Sequence, residues 1–229
     1  MFPSYKIIHT KLVNSYLLKA KQGYLLIDTG YPNQYQNFLA KLRSENISLS
    51  DIKYLLLTHH HNDHSGFAQK ILSENKAELI VHEQALPFLR SGSNEKNCYS
   101  FNWLVKLLRS SIDKLGWTKY QPLVLKDKLH IIREEKSEYL RSLGIEATIL
   151  YTPGHTQDSI SIILSDNKAI VGDLVMPLWG DSILPLFIQD LDTLYVSWQK
   201  LLDNNVKEIL PTHGKSIKSS RLKEALIKK

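Results

Sequence analysis

The residues with the clearest capacity for chemistry form the run HHHNDH, which begins at His59 and is separated by Thr58 from an apolar run at residues 54–57. Side chains two positions apart in extended backbone point the same way, so His59, His61 and Asp63 are predicted to share one side. His64 adds a fourth candidate as the chain turns towards a predicted helix, whereas His60 breaks the alternation and is predicted to point away. Neutral imidazole and carboxylate are ligands that Zn²⁺ and similar divalent ions prefer. The run therefore predicts a metal site.

Three further candidates occupy the same kind of position. His155, Asp173 and His213 each follow an apolar run that predicts a buried strand, and each has Gly or Pro close by. Ligands collect at the carboxyl ends of strands in open α/β sheets, so we expect these side chains to join the histidine-rich run. Isolated histidines elsewhere are predicted to be ordinary surface or hydrogen-bonded residues: His9, His82 and His130.

The elements that must position these residues are a mixture of strands and helices. Helical spacing of apolar residues predicts helices at residues 32–44, 65–73 and 193–202, with a last one in the basic tail. This pattern fits two sheets covered by helices or one doubly wound sheet, and spacing alone does not choose between them. The predicted β segments are residues 6–12, 15–19, 24–27, 54–57, 78–81, 137–141, 144–151, 159–164, 169–171 and 206–210.

The segment at about residues 84–128 differs from the rest because it is rich in large apolar residues. A helical stripe runs through it, and either an inserted helical cap over the site or an ordinary helix covering the core would explain the pattern. The stripe consists of Phe101, Leu104, Val105, Leu108, Ile112 and Leu115.

Composition places the chain among globular proteins. It has 229 residues, 43% hydrophobic and 23% charged, which excludes a disordered, collagen-like or disulfide-scaffold protein. The length predicts one domain over residues 1–229. The net charge of +6 fits a mildly basic surface, and the lone Cys98 excludes an internal disulfide and suits a reducing compartment. With no signal-like N-terminus and no apolar run long enough for a bilayer, we expect a cytoplasmic protein without a membrane or nucleic-acid partner.

Four short motifs, at residues 58–64, 152–156, 172–173 and 211–214, resemble the successive signatures of the metallo-β-lactamase superfamily. Residues 14–17 and 28–30 match its N-terminal pattern, so the resemblance covers nearly the whole chain in the right order. The resemblance implies an α/β protein with a four-layer αβ/βα sandwich and the metals at one edge, between two mixed sheets. The Asp63-His64 pair resembles the pair at this position in the branch that contains glyoxalase II and lactonases. This resemblance argues against antibiotic hydrolysis.

The resemblance also implies a role for each site residue. Two divalent ions are implied per chain, with Zn²⁺ expected and Mn²⁺ or Fe²⁺ as alternatives. Asp28 is implied to orient a ligand imidazole, although an aspartate that only caps the loop after its strand fits equally well. The implied ligands are His59, His61 and His155 for the first ion, Asp63, His64 and His213 for the second, and Asp173 between them.

Such a centre implies hydrolysis by a hydroxide that bridges the two ions, with Asp63 accepting or relaying the proton. The apolar stretch at residues 174–188 follows Asp173, so Met176, Trp179 and Phe187 are predicted to line an apolar substrate pocket. The alternative is that this stretch only packs under the insert. The expected substrate is a small ester, thioester or lactone with an acyl or aromatic group.

Three rival functions remain open from the sequence. The first is an oxidoreductase similar to persulfide dioxygenases, with one iron held by His59, His61 and His155. The second is a phosphodiesterase or nuclease, which the modest charge and the lack of a basic arm disfavour. The third is a ligand sensor that has lost turnover. The oligomeric state is not predicted.

Overall fold

The fold is described from a computed structural model, which covers residues 5–95, 118–125, 128–178 and 180–228. Within these residues, twelve strands form two six-stranded sheets. The first sheet has the order β1 (Tyr5–Thr10), β2 (Val13–Lys19), β3 (Tyr24–Ile27), β4 (Ile52–Leu56), β5 (Glu78–His82) and β6 (Leu129–Ile132). The second sheet, written from β12 to β7, has the order β12 (Ile217–Lys218), β11 (Glu208–Leu210), β10 (Lys168–Ile170), β9 (Ile160–Leu164), β8 (Ala147–Tyr151) and β7 (Lys136–Ser137).

Strand direction determines where the candidate site residues emerge. In the first sheet β3, β4 and β5 are parallel, so the residues that follow β3 and β4 leave the sheet at the same edge. In the second sheet β8 is antiparallel to β9, β9 is antiparallel to β10, and β10 is parallel to β11. Strands β8, β10 and β11 therefore all point the same way. Their carboxyl ends, which precede His155, Asp173 and His213, meet at one edge.

Apolar residues on both faces of each sheet produce a layered core. Neighbouring residues of a strand point to opposite faces, and on β4 Leu55 enters the outer core whereas Leu56 enters the core between the sheets. On β11, Ile209 faces the helices and Leu210 faces the first sheet. Three apolar layers therefore alternate with the two sheets, and the predicted four-layer sandwich is confirmed.

The helices cover the two outer faces. The helices on the first sheet pack against it through buried side chains such as Phe38 and Ile71. Those on the second sheet pack through side chains such as Trp198 and Leu222. The helices are α1 (Tyr35–Ser44), α2 (Asn62–Ser65), α3 (Ala68–Asn75), α4 (Leu86–Ser91), α5 (Tyr139–Ser142), α6 (Leu191–Asp203) and α7 (Ser220–Ile227), with 3₁₀ turns at Pro32–Gln34, Leu49–Asp51 and Glu83–Ala85.

The helix predicted at residues 65–73 is interrupted in the structure. A Cβ at Gly66 would lie 2.4 Å from the main-chain oxygens of both Asn62 and Gly30, so glycine permits a close approach of two loops there. The next residue, Phe67, packs its ring 5.1 Å from that of Phe38 and 5.5 Å from that of Tyr35. The break thus lets Phe67 enter the core while α2 keeps its own direction beside the histidine-rich run.

Two other expectations about the elements need revision. The β segment predicted at residues 137–141 is wrong beyond its first residue, because α5 begins at Tyr139, whose ring stacks on His130 at 3.4 Å. Strand β6, directly after the predicted insert, was not predicted from the sequence.

Only part of the predicted helical insert at residues 84–128 falls within the described residues. Its beginning is helical, as α4, and Ser93 then forms an isolated antiparallel bridge with Lys119. The helical stripe from Phe101 to Leu115 lies outside the described residues, so its role as a cap stays a prediction. Among the residues that the structure covers, no helix is long and apolar enough to cross a bilayer.

Candidate metal centre

Three histidines converge at the edge where the two sheets meet. The Nε2 atom of His155 lies 3.2 Å from Nε2 of His59 and 3.1 Å from Nδ1 of His61. All three side chains are buried, with exposed fractions between 1% and 5%. Four-coordinate Zn²⁺ with bonds of 2.0–2.1 Å places its ligand nitrogens about 3.3 Å apart. The spacing of these nitrogens therefore fits one divalent ion, and this trio forms the first cluster.

A second cluster adjoins the first and contains two carboxylates and two imidazoles. Nε2 of His213 lies 3.1 Å from Oδ2 of Asp63 and 3.6 Å from Oδ2 of Asp173. Nε2 of His64 lies 3.3 Å from Oδ1 of Asp173. Asp173 also lies 3.9 Å from Nε2 of His155 in the first cluster, so its carboxylate faces both clusters. This is the position that a bridging ligand requires.

Unpaired buried atoms in the second cluster also fit a metal ion. Within the described chain, Nε2 of His64 and Oδ1 of Asp173 are buried and, although they lie 3.3 Å apart, neither forms an aligned hydrogen bond. A buried polar atom without a partner costs about 1–3 kcal/mol, so such atoms call for an explanation. Coordination of a shared ion would satisfy both of them, since imidazole nitrogen and carboxylate oxygen are ordinary ligands of divalent metals.

The outer ring nitrogens of the ligands are held by hydrogen bonds. Nδ1 of His155 donates to the main-chain oxygen of Phe187 at 2.7 Å, and Nδ1 of His213 donates to that of Leu12 at 2.8 Å. Nδ1 of His64 lies 2.8 Å from Oδ2 of Asp28. These contacts turn Nε2 of each ring towards the clusters and fix the tautomer that a ligand needs.

Asp28 follows β3, but its side chain contacts the loop after β4 and the ring of His64. Its Oδ1 accepts the main-chain N–H of Thr58 at 2.7 Å, and its Oδ2 accepts the Thr58 hydroxyl at 2.7 Å beside His64. The backbone of Asp28 has a φ of +58°, which turns the chain sharply as it leaves β3. The same carboxylate therefore caps the loop before the histidine-rich run and orients a candidate ligand.

The protonation of the first cluster suits metal binding. Burial and the imidazoles of His64 and His61 hold the pKa of His59 well below its usual value. Burial and His61 lower the pKa of His155 to about 4. Both rings are neutral at pH 7, and the inward nitrogen of His155 keeps a free lone pair.

The second cluster has the opposite electrostatic character. Burial alone would lower the pKa of His213, but Asp173 and Asp63 raise it to about 9. Burial alone would raise the pKa of Asp173, but His213 and His64 lower it to about 2. These carboxylates give the second cluster a negative potential, which stabilises a positive charge held between its side chains.

Four residues around the clusters received no role from the sequence. His60 is fully buried, lies outside the two clusters as predicted, and bonds to Asp158 and Glu95. The Tyr31 phenol lies beside Asp63, and burial together with Asp63 and Asp173 raises its pKa. No sequence signal marks Glu95 or Asp158, because both are distant from the histidines they contact.

The predicted substrate-pocket residues are only partly described. Met176 is 7% exposed and donates its main-chain N–H to Ile183, and Phe187 is half-buried beside His155. Trp179 lies outside the described residues. Several apolar residues of the same stretch pack against the second sheet and α6, which neither sequence interpretation specified: Leu174, Val175, Ile183 and Ile188.

Comparison with known proteins identifies the family. The model of the metallo-β-lactamase superfamily matches residues 10–213. A probable metallo-hydrolase of Methanocaldococcus jannaschii is 28% identical over 204 residues, which cover 88% of this chain and 87% of that protein. A β-lactamase-like protein 2 homologue of Caenorhabditis elegans is 26% identical over 206 residues, but the chain spans only 55% of its length. The corresponding Drosophila melanogaster protein is 27% identical, and the chain spans 59% of it.

Solved structures agree on the fold. A metallo-β-lactamase family protein of Thermus thermophilus superposes with a TM-score of 0.71 at 20% identity, covering 99% of this chain and 79% of that one. The protein TTHA1623, solved in a di-iron-bound form, gives a TM-score of 0.68 at 19% identity and covers 95% of each chain.

The family model and the shared fold together define the class of this protein. The chain belongs to the metallo-β-lactamase superfamily.

Proposed function

We propose that this protein is a dinuclear metal-dependent hydrolase that cleaves an ester, thioester or lactone. The observation that carries the proposal is the pair of adjoining clusters, with Asp173 facing both of them. When bound, two divalent ions supply a Lewis acid for the scissile carbonyl and lower the pKa of a shared water towards 7. The residues of the chain hold the ions, orient the imidazoles and manage the proton.

The seven ligand positions divide into three roles. The first cluster would hold one ion, and Asp63, His64 and His213 would hold the second, with Asp173 as the carboxylate that faces both sites. Asp63 is the least buried of the seven, with a side chain 15% exposed, so its carboxylate can accept the proton of the attacking water and pass it to solvent. Asp63 is therefore the proposed catalytic residue.

The substrate is proposed to carry an apolar acyl or aromatic group. The support is the apolar stretch after Asp173, in which Met176 comes three positions after Asp173 and the main-chain oxygen of Phe187 accepts from His155. A hydroxyacylglutathione hydrolase of Rhodopseudomonas palustris is 26% identical over 132 residues, covering 58% of this chain and 36% of that enzyme. That likeness favours thioesters among the three bond types. Zn²⁺ is the proposed metal, and the di-iron form in which a structural neighbour was solved makes iron the first alternative to measure.

The test combines elemental analysis with a substrate panel. The purified protein is expected to hold two ions per chain and to hydrolyse members of a panel of carboxyl esters, thioesters and lactones faster than bis-p-nitrophenyl phosphate. His61→Ala removes one of the three nitrogens of the first cluster, so it is expected to lose most bound metal and at least 100-fold in kcat/KM. His9→Ala is the matched control, because His9 is exposed and bonds only to Asn14 in the described structure.

Several outcomes would contradict the proposal. One iron per chain with consumption of oxygen would favour the dioxygenase-like alternative. A preference for the phosphodiester would favour a phosphodiesterase, and bound metal without turnover on any substrate would favour a sensor. Equal rates on short polar and long acyl esters would refute the apolar pocket while leaving the hydrolase intact.

A further inference from the structure

A chain of buried polar groups extends from the first cluster away from the ligands. His60 has no exposed surface, and its ring stacks on Phe88 at 4.0 Å between centroids. Its Nδ1 lies 2.8 Å from Oδ1 of Asp158, and its Nε2 lies 2.7 Å from Oε2 of Glu95. Because carboxylate oxygens accept, both ring nitrogens of His60 donate, and its imidazolium offsets the two buried carboxylates.

The same oxygen of Glu95 reaches the first cluster. Oε2 of Glu95 lies 2.8 Å from Nε2 of His61, whereas Nδ1 of His61 faces Nε2 of His155 at 3.1 Å. A ring that donates from Nε2 keeps the lone pair on Nδ1, which is the atom directed into the cluster. A carboxylate acceptor also makes an imidazole a stronger ligand.

We propose that Glu95 is a positioning residue that fixes the tautomer and ring orientation of His61, and that His60 and Asp158 hold the Glu95 carboxylate in place. The proposal rests on the metal-binding role of the first cluster in the proposed function. It gives the segment after α4 a part in the metal centre, since Glu95 lies more than thirty positions after His61.

The neighbouring backbone restrains Glu95. The side chain of Asn94 accepts the main-chain N–H of Asn62 at 3.0 Å and donates to its side-chain oxygen at 3.1 Å. The main-chain oxygen of Gly92 accepts from Tyr120 at 2.9 Å. Glu95 therefore belongs to a segment that is hydrogen-bonded directly to the histidine-rich run and to Tyr120.

A third metal ion among His60, His61 and Glu95 is the competing explanation. These side chains offer three ligand atoms that lie close together. However, distances of 2.7 and 2.8 Å from Glu95 to the two rings are those of charge-assisted hydrogen bonds. Ligands of a tetrahedral ion stand about 3.3 Å apart, and the other nitrogen of His60 already faces Asp158. Hydrogen bonding therefore explains the geometry better than a third ion.

Glu95→Gln tests the proposal, with Glu83→Gln as the matched control. Glutamine keeps the size of the side chain but loses the charge and one acceptor oxygen. Glu83 is also a glutamate just upstream, but it is exposed and bonds to Arg133. Competition with a chromogenic zinc chelator is expected to show about 10–100-fold weaker binding of one of the two zinc ions in Glu95→Gln. Binding in Glu83→Gln is expected to match the parent protein.

A second measurement keeps the test valid if Glu95→Gln folds poorly. A two-bond ¹H–¹⁵N spectrum of the zinc-loaded parent shows which ring nitrogen of each histidine carries the proton. The signals of His61 are assigned as those that disappear in His61→Gln, and they are expected to show the proton on Nε2. A proton on Nδ1, or unchanged zinc affinity in a folded Glu95→Gln, would overturn the proposal. Three zinc ions per chain in the parent, falling to two in Glu95→Gln, would establish the third metal site instead.

The result also separates this proposal from the proposed function. If the parent binds no metal, or if His61→Ala retains all of it, the dinuclear function fails. If the parent binds two ions and Glu95→Gln binds them equally well, only the role of Glu95 fails.

Discussion

Four of the five candidate imidazole ligands have a partner on the outer ring nitrogen that is distant in the chain. Glu95 faces His61, whereas main-chain oxygens of Phe187 and Leu12 accept from His155 and His213. Every residue has a main-chain oxygen, so the sequence does not indicate which of these oxygens accepts a hydrogen bond from a ligand imidazole. Spacing in the sequence therefore predicts which side chains can bind metal, while the tautomers depend on the tertiary fold.

His82 shows what the fold does to a histidine outside the clusters. It ends β5, is 3% exposed, and stacks on the Tyr151 ring of the second sheet at 4.3 Å with an angle of 5° between the planes. Burial lowers its pKa, although nearby carboxylates, Asp158 first among them, oppose the shift. The ring therefore packs between the sheets in its neutral form.

This lowered pKa makes the stability of the protein depend on pH. Below the unfolded value of about 6.5, the unfolded chain binds a proton that the folded ring binds less readily. The contribution of neutral His82 is thus fully present above pH 6.5 and is lost as the pH falls below it. His82→Phe keeps the stacking and removes the titration, so its free energy of unfolding is expected to fall less steeply than that of the parent between pH 7.5 and 5.5. Urea denaturation of both proteins at several pH values measures this, and parallel curves would contradict it.

At the scale of elements, the site depends on how closely loops and helices approach one another. The loop after β8 contains Gly154, whose main-chain oxygen accepts N–H groups from Gln189 and Asp190. Gly154 has a φ of +134°, and a Cβ there would lie 2.4 Å from Cα of Leu194 in α6. The start of α6 therefore rests against the backbone immediately before His155.

Gly154→Ala is expected to push α6 away from this loop. Backbone strain and the clash together predict a loss of about 2–4 kcal/mol in the free energy of unfolding. Because His155 is the next residue, zinc affinity is expected to fall as well. Denaturant unfolding and chelator competition measure the two effects.

Gly180→Ala is the control for strain without a clash. Gly180 also has a positive φ, of +56°, but a Cβ there meets nothing within 4 Å. We expect a loss of about 1 kcal/mol and unchanged zinc affinity. Equal effects of the two substitutions would show that the contact with α6 does not matter.

The sequence predicted the elements around the site better than those far from it. The strands before the ligands are uninterrupted apolar runs, and a run buried on both faces is readable without knowledge of its neighbours. Strand β6 is largely half-buried, so its sequence shows no clear apolar pattern. The segment from Tyr139 is helical where a strand was predicted, because its conformation depends on the packing of the Tyr139 ring on His130, which is distant in the chain. Periodicity left two architectures open, and the correct choice came from the family resemblance.

At the scale of the whole molecule, both sheets contribute to the metal centre. The histidine-rich run follows β4 of the first sheet, whereas His155, Asp173 and His213 follow strands of the second. An ion shared by ligands from both sheets binds only when the sheets are packed together. Metal binding is therefore expected to stabilise the folded state as any ligand of the native protein does.

Removal of the metal is expected to lower the melting temperature. An ion at 1,000 times its Kd contributes about 4 kcal/mol, which corresponds to roughly 8–16 °C for a chain of this size. Calorimetry before and after treatment with a chelator measures the shift, and zinc added back is expected to restore it. His61→Ala provides the control, since its melting temperature is expected to respond much less to the chelator. An equal shift in this variant would place the stabilising ion elsewhere.

The order of the strands along the chain affects how the protein folds during its synthesis on the ribosome. Every strand of the first sheet precedes every strand of the second, and roughly 80 residues separate the start of β7 from the end of β12. A ribosome adds about 5–20 residues per second, so the inner face of the first sheet, with Ile27, Leu56 and Ile80, awaits its cover for about 4–16 seconds. During that interval the nascent chain exposes these apolar side chains and lacks the candidate ligands of the second sheet. We therefore expect chaperones to bind the chain at this stage.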